Sequence, residues 1–301
     1  MNTSESADPA STSVPANTPV ARLVLRYARV LSIAGSDSGG GAGIQADLKT
    51  FAALGCFGMT AITALTAQNT LGVRAIHAVP VQMLADQIDA VVEDIGVDAV
   101  KVGMLHSDQT VRAVAAALDR HRLTQVVLDP VMLATSGAVL IDQAAIAVLV
   151  AEMFPRAAVI TPNLDEAALL VGRPLCDEFD MAAAGQQLLH MGARAVLLKG
   201  GHLAGTTVSD LLLQPGQPPL WLRGPRIASA NTHGTGCTLS SAIAAHLALE
   251  ADLVQAVQRA RDFVRAALAA GAAVRTGAGS GPLNHGHAPL PMRLLPLEPA
   301  A

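Results

Sequence analysis

The chain has 301 residues, of which 51% are hydrophobic, 2% aromatic and 15% charged, and its formal net charge is −4. A chain of this length buries a large core without disulfides or metals, and with so few aromatic rings the core must be built from aliphatic side chains. We expect neither a membrane span nor a nucleic-acid interface, because the sequence has no run of 18 apolar residues and no basic cluster. The three cysteines, Cys56, Cys176 and Cys237, are too few for a disulfide framework and fit a reducing cytoplasm.

Both ends of the chain have the composition of tails. Residues 1–25 are rich in Ser, Thr, Ala and Pro, which predicts a disordered N-terminal tail. The first 20 residues hold no Lys or Arg, so they lack the basic start of a signal peptide. Residues 291–301 contain three prolines, which predicts a loose C-terminal tail. Residues 26–290 show no repeat or linker, so we expect a single domain there.

From residue 29 onward, short apolar runs alternate with segments of helical periodicity. In chain order the pattern predicts a strand over 29–34, a helix over 43–54, a strand over 58–66, a helix over 81–95, a strand over 99–103, a helix over 108–120, a strand over 126–128, a helix over 144–154, a strand over 158–160, helices over 164–171 and 181–191, a strand over 195–198, antiparallel strands over 208–213 and 220–223, and helices over 237–249 and 252–270. This alternation is typical of α/β proteins, whose mostly parallel sheet carries helices on both faces and binds ligands at the carboxyl ends of its strands.

Two glycine clusters lie where chemistry is expected. The first, GSDSGGGAG (35–43), follows the first strand and has five glycines in nine residues, which favours close approach of the backbone to a ligand. A dinucleotide fingerprint is disfavoured, because residues 60–70 hold no acidic residue. The second, NTHGTGCT (231–238), leads into an apolar helix whose N-terminus would bind an anion. Cys237 lies in the first turn, where the helix dipole would lower the pKa of its thiol; an inert, buried cysteine is the alternative.

Polar side chains follow three further strands. Lys199, followed by Gly200 and Gly201, is placed to contact a phosphate. Asp129, Asn163 and Glu166 offer hard oxygen ligands that suit Mg²⁺, directly or through water. An anion site, a lysine and carboxylates together are what phosphoryl transfer requires.

Seven stretches resemble the hydroxymethylpyrimidine/phosphomethylpyrimidine kinases of the ribokinase-like superfamily. They are AGSDSGGGAGIQADLKTF (34–51), ITALTAQNT (62–70), KVGML (101–105), VVLDPVM (126–132), ITPNLDEA (160–167), LLKGGH (197–202) and NTHGTGCTLS (231–240). The resemblance implies a ribokinase-like three-layer αβα sandwich with a mostly parallel central sheet, and a homodimer.

The resemblance also implies roles for individual residues. The pyrimidine pocket would be lined by Gly35, Asp47, Gln68, Met104 and Cys237, with the amide of Gln68 pairing with an aminopyrimidine edge. ATP would be bound by Asn163, Glu166, Lys199, Thr232 and Gly234. The metal, Mg²⁺ with a monovalent cation as a further candidate, would lie near Asp129 and Glu166. The catalytic group would comprise Lys199 and the anion hole of Gly234, Thr235, Gly236 and Cys237, with Cys237 as base or orienting group.

The implied activity is ATP-dependent phosphorylation of 4-amino-5-hydroxymethyl-2-methylpyrimidine and then of its monophosphate, for thiamine diphosphate biosynthesis in the cytoplasm. Pyridoxal or pyridoxine kinase is the nearest alternative. A cysteine hydrolase using Cys237 and His233 is a remote one, since it leaves Lys199 and Glu166 unexplained. A non-catalytic vitamin-binding module is another. His285 and His287 lack a third metal ligand and are expected at the surface.

Overall fold

The computed structural model describes residue 1 and residues 24–132, 141 and 143–297. The predicted N-terminal tail therefore lies almost wholly outside the described residues, as do residues 298–301. The strands are β1 (Leu25–Tyr27), β2 (Arg29–Asp37), β3 (Phe57–Asn69), β4 (Gly72–Ala78), β5 (Ala99–Val102), β6 (Val126–Leu128), β7 (Val159–Ile160), β8 (Val196–Leu198), β9 (Thr207–Leu213), β10 (Leu220–Pro225) and β11 (Leu294–Pro296). The helices are α1 (Gly43–Ala53), α2 (Val81–Asp94), α3 (Asp108–Arg120), α4 (Gln143–Met153), α5 (Leu164–Val171), α6 (Glu178–His190), α7 (Thr235–Ala248) and α8 (Leu253–Gly271).

In the part of the chain described above, nine strands form one sheet in the order β10-β9-β8-β7-β6-β5-β2-β3-β4. The six strands from β8 to β3 are parallel, and β4, β9 and β10 add antiparallel edges. β2 is an interior strand, with β3 and β4 on one side and β5 to β10 on the other, so the chain winds outward from it in both directions. All the parallel strands therefore end at one edge of the sheet.

Helices cover both faces of the sheet, which confirms the predicted three-layer αβα arrangement. On one face, α2 to α6 bury aliphatic side chains such as Leu118, Leu149 and Leu188. On the other, α1, α7 and α8 pack around Phe51 and Ile243. Small side chains line α7, from Ser240 to Ala245, and this lets the helix lie close against the strands below it.

Three differences from the sequence-based prediction stand out. β3 runs to Asn69, and β4 pairs with it as an edge strand that the sequence analysis missed because its exposed residues show no clear apolar alternation. Residues 294–296, expected to be loose, form β11 and pair with β1. Leu25, expected in the N-terminal tail, belongs to that pair. The two short strands join through backbone hydrogen bonds, which a composition rule does not detect.

Among the described residues, none of the helices has both the length and the apolar character needed to cross a bilayer.

Candidate active site

A cavity of about 590 Å³ opens at the carboxyl edge of the sheet. The ends of β2, β5, β6 and β8 and the starts of α5 and α7 all contribute to its wall, as the α/β topology predicts. Of the predicted site residues the cavity is lined by Gly35, Gln68, Met104, Asp129, Asn163, Glu166, Lys199, Thr232, Gly234, Thr235, Gly236 and Cys237. Asp47 is the exception.

Lys199 is the centre of the charged end of this cavity. Its Nζ donates to Asp129 Oδ1 at 2.8 Å and lies 4.0 Å from Glu166 Oε2. Burial alone would lower the pKa of Lys199, but the two carboxylates raise it above its usual value. Lys199 therefore stays protonated, and it lies close to the start of α7: a Cβ built on Gly236 would lie 3.1 Å from its Nζ.

The two carboxylates beside Lys199 differ in charge state. Burial would raise the pKa of Asp129, but the attraction of Lys199 and Lys101 lowers it. Burial raises the pKa of Glu166 to about 7, Lys199 opposing and Asp129 reinforcing the rise. Close to neutral pH, Glu166 is therefore partly protonated, and a bound cation would shift it toward its ionised form.

A capping box holds Glu166 at the start of α5. Its Oε2 accepts from the N–H of Asn163 at 2.8 Å, and Asn163 Oδ1 accepts from the N–H of Glu166 at 2.9 Å. Asn163 thus lines the cavity, but its side-chain oxygen caps the helix. The Asn-Leu-Asp-Glu spacing in the sequence carries this signal.

The two glycine clusters meet at the N-terminus of α7. Gly234 has φ +83°, and a Cβ placed on it would lie 1.9 Å from Gly41 O, so only glycine fits. The helix begins at Thr235 without a side-chain cap, and Gly236 and Cys237 in its first turn line the cavity. The hydroxyl of Thr235 donates to Thr232 O at 2.7 Å. This turn presents backbone amides to whatever anion occupies the cavity.

Cys237 differs from expectation. Burial raises the pKa of its thiol to about 11; nearby Lys101 opposes the rise, and Asp47 and Asp129 add to it. The helix dipole alone suggested a lowered pKa, but desolvation and the carboxylates outweigh it here. Cys237 is therefore a neutral thiol near pH 7.

Three of the predicted pyrimidine contacts, Gly35, Gln68 and Met104, line another part of the cavity. Gly35 leaves room for Met104, whose Cε would be 3.2 Å from a Cβ at that position. Gln68 lies 3.3 Å from His233, measured between Nε2 atoms, and His233 Nε2 lies 2.8 Å from Asp37 Oδ2. From the sequence, Asp37 has no predicted role and His233 only the remote one of a hydrolase, although both lie inside the two glycine clusters.

Asp47 does not line the cavity, which corrects the prediction. It is fully buried and accepts from Lys101 Nζ at 2.9 Å, Ser32 Oγ at 2.5 Å and Ser241 Oγ at 2.6 Å. Asp47 lies on the inner face of α1, where it ties that helix to β2, β5 and α7. Lys101, which the analysis quoted in a motif but did not select, is its ion-pair partner and lies in the cavity wall.

His285 also departs from expectation. Only 5% of it is exposed, and its Nε2 lies 2.9 Å from Thr238 Oγ1. Burial lowers its pKa to about 4. It joins the C-terminal segment to α7 and is a packing residue.

A family profile described as phosphomethylpyrimidine kinase matches residues 37–284. The chain belongs to that family. It is 50% identical over 258 residues to the hydroxymethylpyrimidine/phosphomethylpyrimidine kinase of Rhizobium meliloti, covering 85% of this chain and 96% of that one. It is 52% identical over 256 residues to a thiamine biosynthesis bifunctional protein of Geobacter sulfurreducens, covering 85% of this chain. The chain matches only about half of that relative, 52% of its length.

The fold is shared with solved vitamin kinases. The ADP complex of Bacillus subtilis pyridoxal kinase superposes with a TM-score of 0.80 at 34% identity, covering 86% of this chain and 98% of that one. The predicted family, ribokinase-like fold and enzyme class are therefore confirmed. The chain is a kinase, and kinases take their phosphoryl group from a nucleotide such as ATP.

Proposed function

We propose that the protein transfers the γ-phosphoryl group of ATP to 4-amino-5-hydroxymethyl-2-methylpyrimidine and then to the resulting monophosphate, for thiamine diphosphate synthesis. Family membership and the names of the full-length relatives support this reading. One structural observation carries it: residues 233–236, which lead into α7, lie beside both groups. His233 Nε2 is 3.3 Å from Gln68 Nε2, and a Cβ built on Gly236 would lie 3.1 Å from Lys199 Nζ. This segment thus joins the charged end of the cavity to the predicted pyrimidine contact Gln68.

In this proposal Lys199 and the amides of Gly236 and Cys237 bind the transferring phosphoryl group. Positive charge and N–H groups held in place before the reaction stabilise charge that builds up in the transition state, which is commonly the largest catalytic contribution. The hydroxymethyl oxygen attacks the γ-phosphorus in line, the bond to the β–γ bridging oxygen breaks, and ADP leaves. The hydroxyl proton passes to solvent.

Cys237 then orients the substrate and does not remove its proton. A thiol whose pKa is about 11 is a poor acceptor at neutral pH, and a loose phosphoryl-transfer transition state needs little base catalysis. In the second reaction the monophosphate oxygen is already ionised, so it needs no base. One anion site can therefore serve both steps.

The residues at the charged end fit a divalent cation, and we assign Mg²⁺ to it. Glu166 and Asp129 are hard oxygen donors, and Glu166 is a buried carboxylate whose pKa burial raises to about 7, so a cation beside it would favour its ionised form. These two side chains would hold Mg²⁺, directly or through water. When bound, the metal neutralises charge on the phosphates.

Pyridoxine phosphorylation is the second candidate, because the B. subtilis pyridoxal kinase shares this fold closely. Gln68 favours the pyrimidine, since a primary amide complements an aminopyrimidine edge with one donor and one acceptor. We further propose that the protein has a single domain and is cytoplasmic, which its three free cysteines support. It would form a homodimer through exposed apolar side chains such as Leu65 and Leu71.

The test is an assay with ATP and Mg²⁺ in which the pyrimidine and pyridoxine are supplied separately and the products are identified by mass. The proposal expects mono- and diphosphorylated pyrimidine, formed in that order. Lys199→Met should abolish both products. Phosphorylated pyridoxine with unmodified pyrimidine would refute it.

A further inference from the structure

Gln68 has polar neighbours that fix which way its amide faces. The oxygen and nitrogen of a glutamine amide exchange places by a half-turn, so neighbouring donors and acceptors decide the orientation. As placed, the amide nitrogen of Gln68 lies 3.3 Å from His233 Nε2 and the amide oxygen lies 3.2 Å from Thr66 Oγ1. The positions of the hydrogens on His233 Nε2 and Thr66 Oγ1 therefore decide which way the amide faces.

The His233 neighbour is a donor. Asp37 Oδ2, 2.8 Å from His233 Nε2, already accepts from the N–H groups of Gly41 at 3.0 Å and Ala42 at 2.8 Å. Burial opposes ionisation of Asp37, but its hydrogen bond with His233 and those from the N–H groups of Ala42 and Gly39 hold its pKa below the usual value. An ionised carboxylate has no hydrogen to donate. The Nε2 atom of His233 must therefore carry the hydrogen, which points mainly to Asp37 Oδ2. A protonated Nε2 has no lone pair to accept from an amide N–H, so the amide oxygen of Gln68, which can share that hydrogen, is the end that faces it.

The Thr66 neighbour is an acceptor. Its Oγ1 lies 2.7 Å from Ser36 O, a carbonyl that only accepts, so its single hydrogen points there. A lone pair of Thr66 Oγ1 is left for Gln68, and it pairs with the amide nitrogen. Both neighbours thus require the same orientation, a half-turn from the placement above: oxygen toward His233 and nitrogen toward Thr66.

We propose that Asp37 and His233 are positioning residues that lock the amide of Gln68 and thereby select an aminopyrimidine over its oxo analogue. This rests on the proposed function. With the amide locked, one N–H and one oxygen lone pair face the cavity in a fixed order. The hydroxymethyl group must point to α7, so the substrate cannot turn over to suit the amide.

The oxo analogue presents the opposite pattern. An aminopyrimidine edge offers a ring-nitrogen acceptor beside an N–H donor, whereas 5-hydroxymethyl-2-methylpyrimidin-4-one offers a ring N–H beside a carbonyl. If the amide of Gln68 is fixed, the ring N–H of the analogue faces the amide N–H, and the carbonyl of the analogue faces the amide oxygen. A site built to pair with such an edge rejects the mismatched one because buried polar groups are left unpaired.

The experiment compares kcat/KM for the amino substrate and the oxo analogue in three variants. His233→Leu removes the donor, so the preference for the amino substrate should fall about tenfold or more, mainly through KM for the pyrimidine. His233→Gln keeps an N–H at the same reach and should retain the preference. The control is His121→Leu, which breaks a matched histidine–carboxylate pair with Asp89 outside the cavity; it should leave the ratio unchanged.

A purely structural role for His233 would lower the rates on both substrates equally, so an unchanged ratio in His233→Leu overturns the proposal. The wild-type chain supplies an independent test that needs no variant to fold. Ring ¹⁵N shifts of His233 should report a hydrogen on Nε2, and a neutral ring with its hydrogen on Nδ1 overturns the inference. If the protein does not phosphorylate the pyrimidine but His233 carries its hydrogen on Nε2, the proposed function is refuted. The fixed orientation of the Gln68 amide is not refuted by that result.

Discussion

The buried ion pair of Lys101 and Asp47 gives the sharpest prediction about stability. Both side chains are fully buried, 2.9 Å apart, beneath the wall of the cavity. Lys101→Met keeps much of the volume of the side chain but removes its charge. Asp47 then keeps only the hydroxyl groups of Ser32 and Ser241 as partners.

The cost follows from leaving a carboxylate buried without its cation. Breaking one side of a buried pair destabilises a protein by about 3–5 kcal/mol, a large part of a total stability of roughly 5–15 kcal/mol. In a protein of this size the melting temperature should fall by on the order of 10 °C. The double variant Lys101→Met/Asp47→Asn, which leaves no buried charge, should lose less than either single variant.

Urea unfolding followed by circular dichroism, without ligands, measures these differences. If Lys101→Met costs less than about 1 kcal/mol while kinase activity disappears, Lys101 binds substrate phosphate and our structural assignment is wrong. A double variant with a lower free energy of unfolding than both single variants would also contradict this explanation.

Three further predictions concern the cavity. Gly234→Ala would place a Cβ 1.9 Å from Gly41 O and should lower kcat/KM at least ~100-fold; Gly216→Ala, with a similar φ of +72° and open space, should leave it unchanged. Because the pKa of Glu166 is about 7, protonation below that pH removes its charge, so KM for MgATP should rise as the pH falls below 7. Glu166→Gln should remove this dependence. Cys237→Ala and Cys237→Ser should have similar kcat, and each should lose less than the ~100-fold expected when a catalytic base is removed. If kcat–pH profiles show that Cys237→Ala is much slower than Cys237→Ser, Cys237 takes part in proton transfer.

The fold was predictable where hydrophobic period and length agree. Helices over 108–120 and 164–171 and the strand over 126–128 have the predicted bounds, because their apolar residues follow the period of the element and are buried in the core. β4 and the β1–β11 pair were missed. They are edge strands held by backbone hydrogen bonds, and their side chains carry little pattern.

The site was predictable as a set of positions but less so as a set of roles. Topology alone brings Lys199, Asp129 and Glu166 to one sheet edge. Asp47 was misplaced because a motif does not say which face of α1 turns inward. The pKa of Cys237 was misjudged because desolvation depends on packing. Only the three-dimensional structure joins Asp37 to His233, which are 196 positions apart.

The most direct test of the central claim is a competition. Equal concentrations of the aminopyrimidine and pyridoxine share one reaction with limiting ATP and Mg²⁺, and the early product ratio gives the ratio of their kcat/KM values. We predict that phosphorylated pyrimidine predominates and goes on to the diphosphate. A predominance of phosphorylated pyridoxine would contradict the account, since the cavity around Gln68 would then recognise a different ring.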